Sequence, residues 1–306
     1  MASSVLLEKL IPLYLIVAAG ILASRRLKLS AETVGSILIY VISPVVIFFT
    51  VLAMPLSPSR LTLPLLFYVI CASIGLAARE VASRRLDRAS AGILAFACGS
   101  GNSGYFGLPL TLAILGPEYL GLAILCALGF SLYENSLGFF FAARGRFSAR
   151  QSLRALSRLP TVYCALSAIL LNLYGARVPD NLLPVADQFR GAYTVLGMFL
   201  IGMSAGMGRS WKIDWRFASI GLGFKFVVWP VVVAACLGLN AMLGFYDGQA
   251  ARVLPLMAVV PLPAVSAAVA TIFDLRPHDV ALMVLLSTLL ALGVIPVVLG
   301  LFSLVA

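Results

Sequence analysis

The chain has 306 residues, of which 61% are hydrophobic and 11% are charged, with a net charge of +10. A water-soluble domain is nearer half apolar and a quarter charged, so a chain this apolar has to face lipid. The basic excess would suit nucleic acid, but the Lys and Arg residues sit in short connections between apolar segments. They read there as topology signals, and nucleic acid is excluded as a partner.

A membrane span needs about 20 mostly apolar residues. In chain order the pattern predicts spans at 5–23, 34–53, 61–78, 89–115 and 120–143, then at 159–174, 192–207, 218–242, 253–273 and 280–305. The sixth and seventh are short, and 182–189 reads as an interfacial piece leading into the seventh. Only Lys9 precedes the first apolar run, while Arg25, Arg26 and Lys28 follow it. A cleaved signal has the opposite charge order, so this run is expected to stay as a helix. The five cysteines, Cys71, Cys98, Cys126, Cys164 and Cys236, form no C-x-x-C pair and read as small core residues. With His278 the single histidine, no His/Cys metal site is expected.

Of the 22 Lys and Arg residues, sixteen fall in the odd-numbered connections, from Arg25 to Arg276, and five in the even connections and termini. The asymmetry predicts odd loops in the cytoplasm and both termini outside, in a multi-pass plasma-membrane protein. The most basic connection, 144–158, divides the chain into residues 1–150 and 151–306, each with five predicted spans. A repeat with an odd number of spans enters the membrane upside down the second time, which is the inverted-repeat plan of many secondary transporters. The expected fold class is therefore all-α and polytopic, with ten transmembrane helices in two inverted five-helix repeats.

Two spans carry helix breakers at matching positions. The fourth contains Gly99, Gly101, Asn102, Gly104, Gly107 and Pro109, and the ninth contains Pro255, Pro261 and Pro263 followed by Ser266. Proline removes a helix donor and clashes with the preceding turn. Backbone groups left unpaired in lipid must face protein or a wet cavity. A pair of interrupted spans is the best sequence pointer to a transporter binding site; the alternative is close packing through small residues.

The run 101–110, GNSGYFGLPL, resembles the G-N-[ST]-G-x-x-G-[LI]-P-L signature of auxin efflux carriers. The stretch 261–296 is similar to the end of that family, and the long central loop of many plant members is absent, as in a short bacterial member. The resemblance implies fourth and ninth helices that cross at unwound segments. It also implies a scaffold of helices 1, 2, 6 and 7 and a mobile transport unit of helices 3–5 and 8–10, an architecture similar to that of bile-acid sodium symporters. Family substrates are organic carboxylates such as auxin, malate and malonate. The family asparagine falls on Asn102, whereas the second crossing often has an amide where this chain has 264–266, AVS. The substrate-binding candidates are Gly101, Asn102, Ser103, Pro109, Pro263 and Ser266.

Two ionisable residues lie deep in predicted spans. Glu134 shares one helical stripe with Ser131, Asn135 and Gly138, and Lys225 lies about eight residues into the eighth span. An intramembrane charge is a functional candidate by default. Glu134, Asn135, Ser131 and Lys225 are therefore the candidate coupling or ion site, with sodium near Glu134 one option and protons the other. Structural readings compete: a neutral hydrogen-bonded Glu134, and a Lys225 that snorkels to the interface or pairs with Glu134. Ser43-Pro44 is either cavity wall or a plain kink.

The expected function is a secondary transporter that moves a small organic carboxylate by alternating access, as efflux. The alternatives are a sodium- or proton-coupled inward symporter and a ligand sensor that has kept the carrier fold. HExxH and paired carboxylates within a span are missing, so an enzyme is not expected. No cofactor is expected. The expected partners are the carboxylate, the lipid bilayer and, as one option, a second copy in a homodimer.

Overall fold

The computed structural model describes residues 2–27, 29–53, 62–206, 212–244, 246 and 248–303. Among them every regular element is helical. The first half contains α1 (Ala2–Arg26), α2 (Ala31–Ala53), α3 (Thr62–Ser83), α4 (Arg88–Cys98), α5 (Leu108–Ile114) and α6 (Leu120–Arg146). The second contains α7 (Ala149–Ser157), α8 (Pro160–Leu173), α9 (Leu183–Gly206), α10 (Trp215–Leu243), α11 (Gly248–Ala258), α12 (Val265–Phe273) and α13 (Pro277–Ser303).

Among the described residues α2, α3, α6, α10 and the 277–298 part of α13 are long and apolar enough to cross a membrane, and the bent pair α7–α8 makes a sixth candidate. The chain is a polytopic helical membrane protein. Its helices start where sequence supplies a cap. Ser30 accepts from the Thr33 N–H ahead of α2, Asp87 from the Ser90 N–H ahead of α4, and Asp214 from two N–H groups ahead of α10. Each satisfies donors that a helix start leaves open.

Three prolines inside predicted spans have one local consequence. Ser43-Pro44, Leu108-Pro109 and Trp229-Pro230 each follow directly on a π-helical turn, at Leu38–Ile42, Ser103–Gly107 and Phe224–Val228. In each, the residue before the proline bonds five residues back: Ser43 to Leu38, Leu108 to Ser103, Trp229 to Phe224. The extra residue relieves the ring's clash with the preceding turn and lets the helix continue. A fourth π-helical turn, Glu134–Gly138 in α6, has no proline after it. Its neighbourhood is held instead by side chains: Asn135 donates to the Ser131 carbonyl at 2.8 Å and Ser136 to the Leu132 carbonyl.

Two elements differ from expectation. The predicted short span 192–207 and interfacial piece 182–189 are one continuous helix, α9, of 24 residues. Asp187 and Arg190 interrupt the hydropathy but pair at 2.9 Å one turn apart, which keeps the helix going. The basic connection 144–158 holds helix α7, begun by a Ser148/Gln151 capping box and bent 53° from α8. Its apolar stripe is too short to register as a span.

α1 lies along α9, and the second half of α2 along α8. The first contact depends on glycine. A Cβ on Gly202 would sit 2.0 Å from the Val17 carbonyl oxygen, and one on Gly20 would sit 2.2 Å from that of Phe199. Such close backbone approach is how membrane helices gain packing where the hydrophobic effect between them is lost. In the other group, α3 packs on α4 and α6, and α4 on the end of α6.

At one end of the bundle, Arg276 gathers three helix starts. Its guanidinium donates to Asp214 at 2.6 Å, to Asp279 at 2.8 Å and to the Ser90 hydroxyl at 3.2 Å, joining α10, α13 and α4. Asp274 and Arg276 both hold positive φ, 52° and 54°, which turns the chain between α12 and α13 in three residues.

Candidate functional site

The fourth predicted span is interrupted after Cys98, and the carbonyls at the end of α4 need new partners. They find them on α6 and α10. The Tyr133 hydroxyl donates to Ala95 O at 2.7 Å, the Trp229 indole to Cys98 O at 2.7 Å, and the Lys225 ammonium to Ser100 O at 3.3 Å. Lys225 is fully buried, with its charge 4.5 Å over the Trp229 ring and 5.6 Å from that of Phe130. A cation there suits both the aromatic faces and the negative end of a helix. The competing snorkelling reading does not hold, because carbonyls and rings replace interfacial water around the ammonium. Direct pairing with Glu134 is corrected as well. The two residues meet on Ser100, whose hydroxyl donates to Glu134 Oε1 at 2.5 Å while its carbonyl accepts from Lys225.

Beyond Ser100 the chain turns, with Ser103 N bonded to Gly101 O at 2.7 Å and the Asn102 carbonyl accepting from Phe106 and Gly107. The Asn102 N–H points elsewhere, to Pro261 O at 2.8 Å. The second interruption, between α11 and α12, therefore touches the first. Its own groups are also answered: Leu262 N–H by the Ser287 hydroxyl at 3.1 Å, and Pro263 O by the Ser266 hydroxyl at 2.6 Å. Every one of these contacts meets the requirement that non-helical backbone at membrane depth be buried in protein or line a cavity.

A cavity of about 400 Å³ lies against this meeting point. Gly101, Asn102 and Ser103 line it from the first break, Pro263 from the second, and Ser131 and Glu134 from α6. The remaining candidates fall elsewhere. Asn135 lines a smaller recess that shares Ser43, Ser131, Glu134 and Tyr193 with the large one. Ser266 and Lys225 are fully buried behind the wall. Ala264 and Val265 line the cavity where Ser266 was expected. Pro109 enters α5 in its first turn, and its side chain lies outside the described residues. Ser43 lines the cavity and closes the π-helical turn before Pro44.

Sequence reasoning missed part of the lining. Thr50 on α2 and Arg190, Tyr193 and Thr194 on α9 also line the cavity. Hydropathy starts the seventh span at 192 and so places Arg190 in a connection. The available signal was the Asp187-x-x-Arg190 spacing, which is one helical turn. Arg190 donates to Asp187 at 2.9 Å and stays partly exposed, so it retains donors for a ligand. The cavity thus offers one guanidinium, one carboxyl group, several hydroxyls and an amide on otherwise apolar walls. That is the composition of a small-molecule site with a few orienting polar groups. Among the described residues no group of three His, Cys, Asp or Glu side chains comes together for a metal ion.

Residues 5–145 match the profile of a family described as membrane transport protein. The match covers 141 of the 306 residues, just under half of the chain. The 101–110 run that resembles the auxin efflux carriers lies inside the matched residues, as does Glu134. An uncharacterized transporter of Methanocaldococcus jannaschii is 26% identical over 275 residues, 87% of this chain and 87% of the relative. A second uncharacterized transporter, from Methanothermobacter thermautotrophicus, is 26% identical over 298 residues, 92% of this chain and 91% of the relative. Both similarities run through the second half as well as the first.

Proposed function

We propose that the protein is a secondary carrier that moves a small organic carboxylate across the plasma membrane, a bacterial inner membrane, by alternating access. The observation that carries this reading is the cavity at the meeting of the two breaks, whose lining includes Asn102, Ser103 and Arg190. A guanidinium binds a carboxylate through charge-assisted hydrogen bonds, and a carboxamide adds a donor while still accepting. Val265 opens α12 at the cavity wall without a side-chain cap, so the positive end of that helix adds to the anion's binding.

In this reading the chain crosses the membrane ten times as two inverted repeats, residues 1–150 and 151–306, with both termini outside. α1, α2, α8 and α9 are the scaffold and the rest is the moving unit. The packing of α1 on α9 and of α2 on α8 supports the division, and the cavity lies between the two groups. An inside-negative potential favours exit of a monoanion by about 2.3 kcal/mol per 100 mV, so efflux needs no coupling. Glu134 in the cavity wall favours a second reading, a proton- or sodium-coupled inward symporter, with Ser131 and Asn135 oxygens available to a hard cation.

Proteoliposomes loaded with unlabelled mono- or dicarboxylate test the proposal by counterflow of the labelled compound. Saturable exchange of at least one carboxylate is expected. No exchange of any carboxylate under imposed potential, proton or sodium gradients would sink it.

A further inference from the structure

A second cavity, of about 150 Å³, lies away from the first, among the ends of α3, α4 and α6. Three arginines line it: Arg79 near the end of α3, Arg88 at the start of α4 and Arg144 in the last turn of α6. Ser83 also lines it, its hydroxyl donating to the Glu80 carbonyl at 2.9 Å, and no carboxylate is among the lining residues. The floor is glycine on glycine, since a Cβ on Gly92 would sit 2.8 Å from Gly145 Cα. The close approach of α4 and α6 brings their arginines together.

These guanidiniums are held in place. Arg88 donates from Nε to Arg144 O at 2.7 Å and from Nη2 to Phe147 O at 2.5 Å, and Arg144 donates to Phe147 O at 3.1 Å. The Arg79 guanidinium lies 5.6 Å from the centre of the Phe141 ring. Three fixed positive forks around one small cavity, with no acid in its wall, suit a phosphate group. Topology signals alone require only that the charges be on one side, not that they converge.

The α3 surface says where such a phosphate comes from. Leu65, Val69 and Leu76 are exposed and share a helical face with Arg79 and Ser83, at offsets of 4, 11, 14 and 18 residues from the first. An apolar track therefore runs along the helix and ends at the basic pocket. A soluble anion has no use for that track, whereas an acyl chain lies along it with its headgroup in the pocket.

We propose that the pocket of Arg79, Arg88, Arg144 and Ser83 binds the headgroup phosphate of an anionic phospholipid. The site is separate from the substrate cavity and does not depend on what that cavity carries. The lipid clamps α3, α4 and α6 at their basic ends.

The test is thermal stability of the purified full chain in neutral detergent, titrated with phosphatidylglycerol, phosphatidylcholine or inorganic phosphate. Arg79→Gln is the variant to use, because Arg79 makes none of the carbonyl bonds that hold the pocket. Arg85→Gln, an exposed arginine outside the pocket, is the control for general surface charge. The wild-type protein and Arg85→Gln are expected to be stabilised by phosphatidylglycerol alone. The half-saturating lipid concentration should rise about fivefold in Arg79→Gln, the effect of one arginine near an anionic surface. Arg79→Lys should fall between them. Equal loss in Arg85→Gln, no loss in Arg79→Gln and Arg79→Lys, or equal stabilisation by phosphatidylcholine would each overturn the site. Equal stabilisation by inorganic phosphate would overturn the lipid assignment and leave a free-phosphate site.

Discussion

Lys225 gives its hydrogen bond to the carbonyl of Ser100 at 3.3 Å and not to the carboxyl group of Glu134. The ammonium therefore acts first as a cap for the broken helix α4, from a helix more than a hundred residues away in sequence. Lys225→Met keeps much of the volume but leaves that carbonyl buried without its donor. The expected cost is about 1–3 kcal/mol of stability, the desolvation penalty of an orphaned polar group. It should appear as a lower thermal midpoint in detergent. An unchanged midpoint would show that the ammonium is not needed to hold the break.

Glu134 faces the cavity and receives the Ser100 hydroxyl. Glu134→Gln preserves shape and acceptor and removes titration and charge. The expected outcome is that substrate still binds while transport loses its dependence on a proton or sodium gradient. Wild-type rate with wild-type ion dependence would make Glu134 structural.

Arg190 is the cation in the cavity wall. Arg190→Gln should weaken carboxylate binding about tenfold to a hundredfold, the range for losing a hydrogen bond to a charged group. Asp187→Asn releases the arginine from its helical partner and should leave affinity equal or higher. Calorimetric titration of both variants checks the pair. Loss of affinity in Asp187→Asn equal to that in Arg190→Gln would mean the pair matters only for holding α9.

The Arg276 cluster predicts an acid response outside the membrane. The hydrogen bond from Arg276 to Asp214 holds that carboxyl below its ordinary range, against a smaller opposing effect of burial. A depressed folded value means the stabilisation is complete above the unfolded value of roughly 3.9 and is lost as pH falls through the lowered one. Asp214→Asn should be less stable than wild type at pH 7, and the gap should close at a pH well below the ordinary carboxylate value. A gap that persists unchanged at that pH would mean the charge is not what Asp214 contributes. Thermal midpoints across the pH range measure it.

Much of this architecture is written locally. Composition gives the membrane class, and the breakers at 99–109 and 261–263 give the two interruptions, because glycine and proline act on their own backbone; Pro255 lies inside α11 and does not break it. Glu134 was legible because a charge in an apolar run has no cheap explanation. Arg190 was not, because hydropathy ends a span at the first charge and cannot see that Asp187 pairs with it within the helix. Nor was the role of Lys225, which depends on a carbonyl at Ser100 that only the tertiary fold brings near. The π-helical turns before Pro44, Pro109 and Pro230 fall between these cases. Proline predicts a disturbance there, but whether the helix kinks or inserts a residue depends on how its neighbours pack.

The central claim is that the substrate sits where the two interruptions meet, with Asn102 in contact with it. The direct measurement is the affinity of Asn102→Ala for the best carboxylate of a mono- and dicarboxylate panel, by calorimetry on protein whose thermal midpoint matches wild type. The Asn102 N–H bond to Pro261 is backbone and survives the change, so the fold is expected to hold. The account predicts a loss of affinity of about tenfold, one hydrogen bond to a charged group. Wild-type affinity in the folded variant would contradict it and move the substrate away from the crossing.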